Sequence, residues 1–368
     1  MELGFDISTY LEEEKAGAKY FDNGVRIDPL LEFKKNGGSL IRLRVWNNPY
    51  SLDGKPYYGG TSDLASTIEI INKTKHYGFS YIIDFHYSDF WCDPSKQTLP
   101  KAWKNLSLNE LKEAVKNFTY DSLKEIKKTG VNIPYVQIGN EITNGMLWPV
   151  GKLFEHGKGE PRTNYENFAE LLKAGIEGAK AFDKNIETII HLERSNDYIT
   201  YEEVFSNLKK YEVNYDIIGM SYYPYWHGTF KELFFNINNL QKKFGKDVMI
   251  MELGYGFTFE DYILTNNGQN QLKINKDNLG DINLPYEISP KGQAEFIEEF
   301  LKLCIGNQVK AVVYWEPLWL PGENIFWASR EGQTYIDEHG ESLRNEWSNQ
   351  CLFDYSGNKL PGFDKFKL

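Results

Sequence analysis

Cysteine is scarce in this chain. Three occur, at positions 92, 304 and 351, an odd count at distant positions with no metal-ligand spacing. A disulfide framework is therefore not expected. Long apolar runs are missing as well: none approaches the roughly 18 residues that a membrane-spanning helix needs. The chain opens directly on Met1-Glu2-Leu3-Gly4-Phe5-Asp6, without the basic and apolar regions of a signal peptide. Positive charge is also in deficit, with 41 Lys and Arg against 52 Asp and Glu, a net charge of −11. That balance argues against nucleic acid as a partner. No linker, repeat or low-complexity block divides the 368 residues, so a single domain spanning 1–368 is expected.

Aromatic residues, by contrast, are abundant. They make up 15% of the chain, with 9 Trp and 24 Tyr, more than core packing usually requires. Flat indole and phenol faces are the surfaces on which sugar rings stack. Short β-branched and apolar runs recur between longer amphipathic stretches. Strands are expected near 3–7, 40–46, 81–85, 135–139, 188–192, 217–221, 248–251 and 309–314. Helical patterns separate them, among them 64–76, 108–128, 165–182, 230–244 and 290–304. Eight strands alternating with helices predict an α/β fold, a single (β/α)8 barrel. The rival doubly wound sheet lacks its Gly-x-Gly-x-x-Gly after the first strand. A long, polar, irregular loop is expected after the seventh strand, from about Gly256 to Ser289, centred on Asn266-Asn267-Gly268-Gln269-Asn270.

A barrel of this kind carries its site at the C-terminal ends of its strands, and those ends share one chemistry. Glu141 and Glu252 each close an apolar run. An ionised carboxylate there is costly unless it is paired, solvated or used, and two facing carboxyls are the minimum equipment for glycoside hydrolysis. With retention, one is the acid/base and the other the nucleophile. The second strand supplies Arg42 and Arg44, two apart and on one side. Either can hold a carboxylate ionised, and either can be a structural ion-pair residue. The third strand ends in Asp84, His86, Asp89 and Trp91; Asp84, His86 and Asp89 admit a metal as the rival reading, though no second spaced His supports one. The fourth strand ends in Asn140-Glu141, the sixth in Tyr222-Tyr223 and the eighth in Trp315. Tyr222 or Tyr223 is expected to donate to the nucleophile.

Four stretches sharpen the reading: Arg42-Leu43-Arg44-Val45-Trp46-Asn47-Asn48-Pro49, the run from Asp84 to Pro94, the run from Gly139 to Pro149, and Tyr314-Trp315-Glu316-Pro317-Leu318-Trp319. In these, and over nearly its whole length, the chain resembles the endo-β-1,4-galactanases of glycoside hydrolase family 53. The resemblance implies Glu141 as acid/base and Glu252 as nucleophile. It also implies Asn140 on the sugar 2-hydroxyl, Trp315 under the scissile sugar, and Trp91, Trp148, Trp226 and Trp319 at neighbouring subsites. Asp84 and Asp89 are taken as further substrate contacts. The implied partner is β-1,4-galactan, as in type I arabinogalactan. No cofactor is required; some bacterial relatives bind calcium in the seventh loop, but no equally spaced Asp/His/Asn cluster stands in this loop. Cys92 and Leu253-Gly254-Tyr255-Gly256 depart from the family pattern. A monomer is expected, secreted or cell-surface, its leader absent from this chain. Activity on mannan, xylan or glucan, or a silent carbohydrate-binding barrel, are the alternatives. A bell-shaped pH–rate profile on the acidic side of neutrality is also expected.

Overall fold

The computed structural model describes residues 1–154, 161–262, 270–280, 282–336 and 344–367. Eight parallel strands close into a barrel: β1 (Glu2–Asp6), β2 (Leu40–Val45), β3 (Ser80–Phe85), β4 (Tyr135–Ile138), β5 (Glu187–Leu192), β6 (Ile217–Tyr222), β7 (Asp247–Leu253) and β8 (Ala311–Trp315). Each pairs with its sequence neighbours, and β1 closes on β8 with Asp6 opposite Trp315. The eight expected strands are all present, with ends shifted by a residue or two.

Seven helices of the outer ring follow the strands: α1 (Pro29–Lys35), α2 (Leu64–Thr74), α3 (Leu108–Lys127), α4 (Tyr165–Phe182), α5 (Tyr198–Lys210), α6 (Phe230–Phe244) and α7 (Pro290–Gly306). Their starts are written into the chain. Ser107 with Glu110, and Thr229 with Glu232, form capping boxes, while Asp28, Asp63, Asp197 and Ser289 cap by accepting backbone N–H bonds. After β8, Phe363 and Phe366 pack on Phe5, and Phe366 also meets Tyr314. This C-terminal segment covers the outer faces of β1 and β8.

Along each strand the side chains alternate, so every second residue enters the barrel. Leu40, Ile82, Tyr135, Ile189, Ile217, Met249, Met251, Ala311 and Val313 fill the interior floor as one apolar cluster. One step higher the same alternation brings in Arg42, Asp84, Gln137, His191 and Ser221, all buried. The interior therefore changes from dry to charged along the barrel axis.

The ring packs tightly between α3 and α4. A Cβ on Gly178 would lie 2.4 Å from the Lys116 carbonyl oxygen, a backbone atom that cannot swing aside. Gly178→Ala should cost about 1–3 kcal/mol of stability, measured by urea denaturation; an unchanged midpoint would show that the two helices can separate freely.

Candidate active site

At the C-terminal end of the barrel lies a cleft of about 1150 Å³. Glu141 and Glu252 both line it, and a carboxylate oxygen from each lies within 4.8 Å of the other. Local backbone geometry aims both. After β4, Gly139 (φ +79°) and Glu141 (φ +50°) take left-handed conformations, turning the glutamate out of the strand direction. On β7 a bulge does the equivalent work. Ile250 pairs with Met220 but Glu252 with Ser221, one residue having been inserted. Met251 thus stays in the apolar floor while Glu252 still faces the cleft.

Arg42 lies beneath Glu252 and is fully engaged. Its Nη1 donates to Asp6 at 2.8 Å, its Nη2 to Asp84 at 2.8 Å, Asn140 at 3.0 Å and Glu252 Oε1 at 3.2 Å, and its Nε to Gln137 at 3.2 Å. Glu252 Oε2 accepts from the Tyr223 hydroxyl at 2.9 Å. Burial pushes Glu252 up to about 7, against the lowering pull of Arg42 and Tyr223. Burial also raises Glu141 well above the usual carboxylate range, reinforced by the charges of Glu252 and Glu193. Among the described residues Glu141 pairs with no arginine; its Oε1 accepts from Ser221 Oγ at 2.6 Å. Between the two, Glu252 ionises first.

The other expected site residues divide into those at the cleft and those behind it. His86 and Asn140 line it. Trp46 Nε1 donates to His86 Nδ1 at 3.1 Å, which leaves Nε2 to donate to Asp84 at 2.9 Å. Asn140 Nδ2 gives one proton to the Cys92 carbonyl and has a second to offer. Cys92 itself lies at the wall. Trp91, Trp226 and Trp315 line the cleft, Trp226 being half exposed.

Six residues stand elsewhere than expected. Arg44 does not reach Glu252: it pairs with Glu316 at 2.6 Å, donates to the Gly59 carbonyl and lies 4.4 Å over the Trp91 ring. Tyr222 points outward by strand alternation, stacks on Phe300 and donates to Gly228, so of the two tyrosines it is Tyr223 that meets Glu252. Asp84 is sealed under Arg42 and His86. Asp89 pairs with Lys101 and accepts from the Asn48 amide. Neither aspartate lines the cleft, nor do Trp148, bonded to the Asn144 carbonyl, and Trp319, stacked behind Trp327. Two walls were missed: Trp327, stacked on Trp91 at 4.8 Å, and Trp347, edge-on to Trp315 at 4.9 Å. They come from irregular segments without periodicity; their residue type was the available signal.

The three residues of the rival metal reading have protein partners: Asp84 pairs with Arg42 and His86, His86 accepts from Trp46, and Asp89 pairs with Lys101. Among the described residues the one group of His, Cys, Asp and Glu close enough to share an ion is Glu141, His191 and Glu252. Both His191 nitrogens already have partners, and the Arg42 cation occupies Glu252. Residues 266–269, the centre of the seventh loop considered for calcium, lie outside the described residues.

The profile described as "Glycosyl hydrolase family 53" matches residues 2–366. The chain belongs to glycosyl hydrolase family 53. It is 33% identical to the endo-beta-1,4-galactanase of Bacillus subtilis (strain 168), over 99% of this chain and 85% of that protein. It is 29% identical to the arabinogalactan endo-beta-1,4-galactanase of Cellvibrio japonicus (strain Ueda107), over 99% and 90%. Among solved structures, the family 53 catalytic domain of Ignisphaera aggregans superposes with a TM-score of 0.84 at 37% identity, covering 99% of this chain and 94% of that one. This family 53 chain is thus a glycoside hydrolase on a (β/α)8 barrel.

The raised Glu252 value carries a stability consequence. An unfolded glutamate titrates near 4.3; folding raises it, so the folded state holds the proton longer. Its contribution is fully present below about pH 4 and is lost as pH rises through about 7. Glu252→Gln removes that titration. Relative to wild type it should gain on the order of 3 kcal/mol between pH 4 and pH 8, measured by denaturant unfolding at both pH values. A constant difference would mean that Glu252 is not held above its unfolded value.

Proposed function

We propose that this chain hydrolyses internal β-1,4-galactosidic bonds of galactan or type I arabinogalactan with retention, Glu252 acting as nucleophile and Glu141 as acid/base. The reading is carried by the short gap between the two carboxylates, within 4.8 Å oxygen to oxygen. Retaining enzymes hold their carboxyl groups roughly 5–5.5 Å apart, whereas inverting ones leave about 6.5–9.5 Å for a water. The roles follow from the neighbours. Glu252 is bonded to a cation and a phenol that hold its charge, whereas among the described residues Glu141 is bonded to the Ser221 hydroxyl.

In the first step a Glu252 oxygen forms a bond to the anomeric carbon. Glu141 gives its proton to the departing oxygen, which keeps the electron pair of the broken C–O bond. In the second step the Glu141 carboxylate takes a proton from water, whose oxygen displaces Glu252. Trp315, Trp91, Trp327 and Trp347 give the cleft its aromatic walls for sugar rings. Galactan as substrate rests on the names of the relatives; their sequence likeness runs the length of the chain.

Both reacting carboxyls are raised by burial. The bell-shaped profile accordingly moves from the acidic side toward neutrality, with the acid limb belonging to Glu252 and the alkaline limb to Glu141 as a coupled pair. The test is reducing-sugar release from debranched galactan beside mannan, xylan and β-glucan, with products resolved by size and anomeric form. A ladder of β-anomeric oligosaccharides from galactan alone is the expected result; α-anomers or another polymer would overturn mechanism or substrate respectively. Glu141→Gln should lose at least about 100-fold on galactan but far less on an aryl glycoside with an activated leaving group. Equal losses would remove Glu141 from the acid's role.

A further inference from the structure

Behind Glu141 stands a hydrogen-bonded chain that the mechanism above does not use. Ser221 Oγ lies 2.6 Å from Glu141 Oε1 and 2.9 Å from His191 Nε2. His191 Nδ1 lies 3.0 Å from Gln137 Nε2 and 3.0 Å from Asn140 Oδ1. All but Glu141 are buried at 5% exposure or less. Ser221 has one hydroxyl proton and two claimants for it, Glu141 and His191. The imidazole tautomer decides which receives it.

We propose that His191 is a positioning residue: held as the Nε2–H tautomer, it donates to Ser221 and so commits the Ser221 proton to Glu141 Oε1. The other oxygen, Oε2, is then the one that carries and returns the catalytic proton. The proposal rests on the reading of Glu141 as acid/base.

Two fixed groups face Nδ1 with opposite preferences, the Gln137 NH2 as a donor at 3.0 Å and Asn140 Oδ1 as an acceptor at 3.0 Å. Gln137 is oriented by Arg42, whose Nε can only donate and therefore takes the Gln137 oxygen. The Gln137 NH2 thus faces Nδ1 as a donor and cannot accept from it. Asn140 Oδ1 is already supplied by Arg42 Nη2 at 3.0 Å and by the Gln137 NH2 at 3.1 Å, which it shares with the Gly139 carbonyl and Nδ1, so its two lone pairs are met without a proton from Nδ1. In the opposite tautomer Nε2 would draw the Ser221 proton inward and leave the Glu141 carboxylate without a donor. The Nε2–H arrangement serves both steps, since Oε1 accepts from Ser221 whether Glu141 is protonated or ionised. His191 itself stays neutral, because burial and the facing cation of Arg42 lower it well below its ordinary value.

Other groups also act on Glu141. Glu252 on β7, Glu193 beyond β5 and Asp93 after β3 raise it. Tyr223 after β6 and Tyr201 on α5 face it as neutral phenols, their own values raised by burial. Around His191, His86 and His227 add to the effect of Arg42. Ser221 is the group that favours the charged form of Glu141 by a hydrogen bond.

The first test is the ¹⁵N chemical shifts of His191 in the free, intact enzyme. Nε2 protonated and Nδ1 bare is the expected result; a proton on Nδ1 overturns the proposal whatever the substrate proves to be. The second is the pH profile of kcat. His191→Leu and Ser221→Ala should each move the alkaline limb upward by about half to one unit, with KM changed less than twofold. His191→Gln, which replaces the Nε2 donor by an amide N–H, should hold the limb near wild type. A limb unmoved in Ser221→Ala, or moved equally in His191→Leu and His191→Gln, contradicts the assignment. Loss of galactan cleavage with the Nε2–H tautomer intact would instead fault the reading of function.

Discussion

One guanidinium organises the mouth of this barrel. Arg42 rises from the second strand into a layer where Asp6, Asp84 and Glu252 converge, and it bonds to all three. A buried charge is tolerated only when it is paired and its remaining hydrogen-bonding capacity is met; Arg42 meets both conditions. Arg44 also approaches Asp6 at 3.8 Å but is paired with Glu316, so the carboxylates of this region still outnumber their cations. The excess negative charge, together with burial, holds the outermost member, Glu252, up at about 7. Removing Arg42 would leave three buried acids facing one another, and the polar layer would have no reason to keep its shape.

The same layer sets apart the two carboxyls to which the proposed roles are given. Glu252 sits on the cationic side with a phenol donor, while Glu141 sits across the gap among Ser221, Glu193 and Glu252. Two identical side chains within 4.8 Å are driven apart in acidity by which neighbours each strand delivers. Arg44, two residues from Arg42, builds a parallel structural pair with Glu316 and forms the support on which Trp91 rests. The strand thus supplies one arginine for the reaction and one for the wall.

Much of this was legible in the chain. The eight strands show as apolar runs because a barrel strand is buried on both faces, and the helix starts carry their own caps. Glu141, Glu252, Arg42, His86 and Asn140 were readable as polar residues closing or interrupting such runs. Strand alternation predicts that Tyr223, sharing the parity of Ser221, faces in while Tyr222 faces out, yet side-by-side tyrosines hide the parity until the register is known. The bulge at Met251 leaves no sequence trace, since Val248-Met249-Ile250-Met251 is uniformly apolar. Trp327 and Trp347 reach the cleft from irregular segments distant in the chain, which only the tertiary fold brings beside Trp91 and Trp315. Trp148 and Trp319 read as equally good platforms, but their rings are turned into neighbouring structure.

The central claim is that Glu252 is the group that bonds to the anomeric carbon. Incubation with a 2-deoxy-2-fluoro galactosyl fluoride, followed by peptide mass mapping, tests it directly, because the fluorine slows hydrolysis of the covalent intermediate more than its formation. A single glycosyl adduct on the peptide containing Glu252 is the predicted result. An adduct on Glu141 or on another carboxylate, with Glu252 unmodified, would contradict the account.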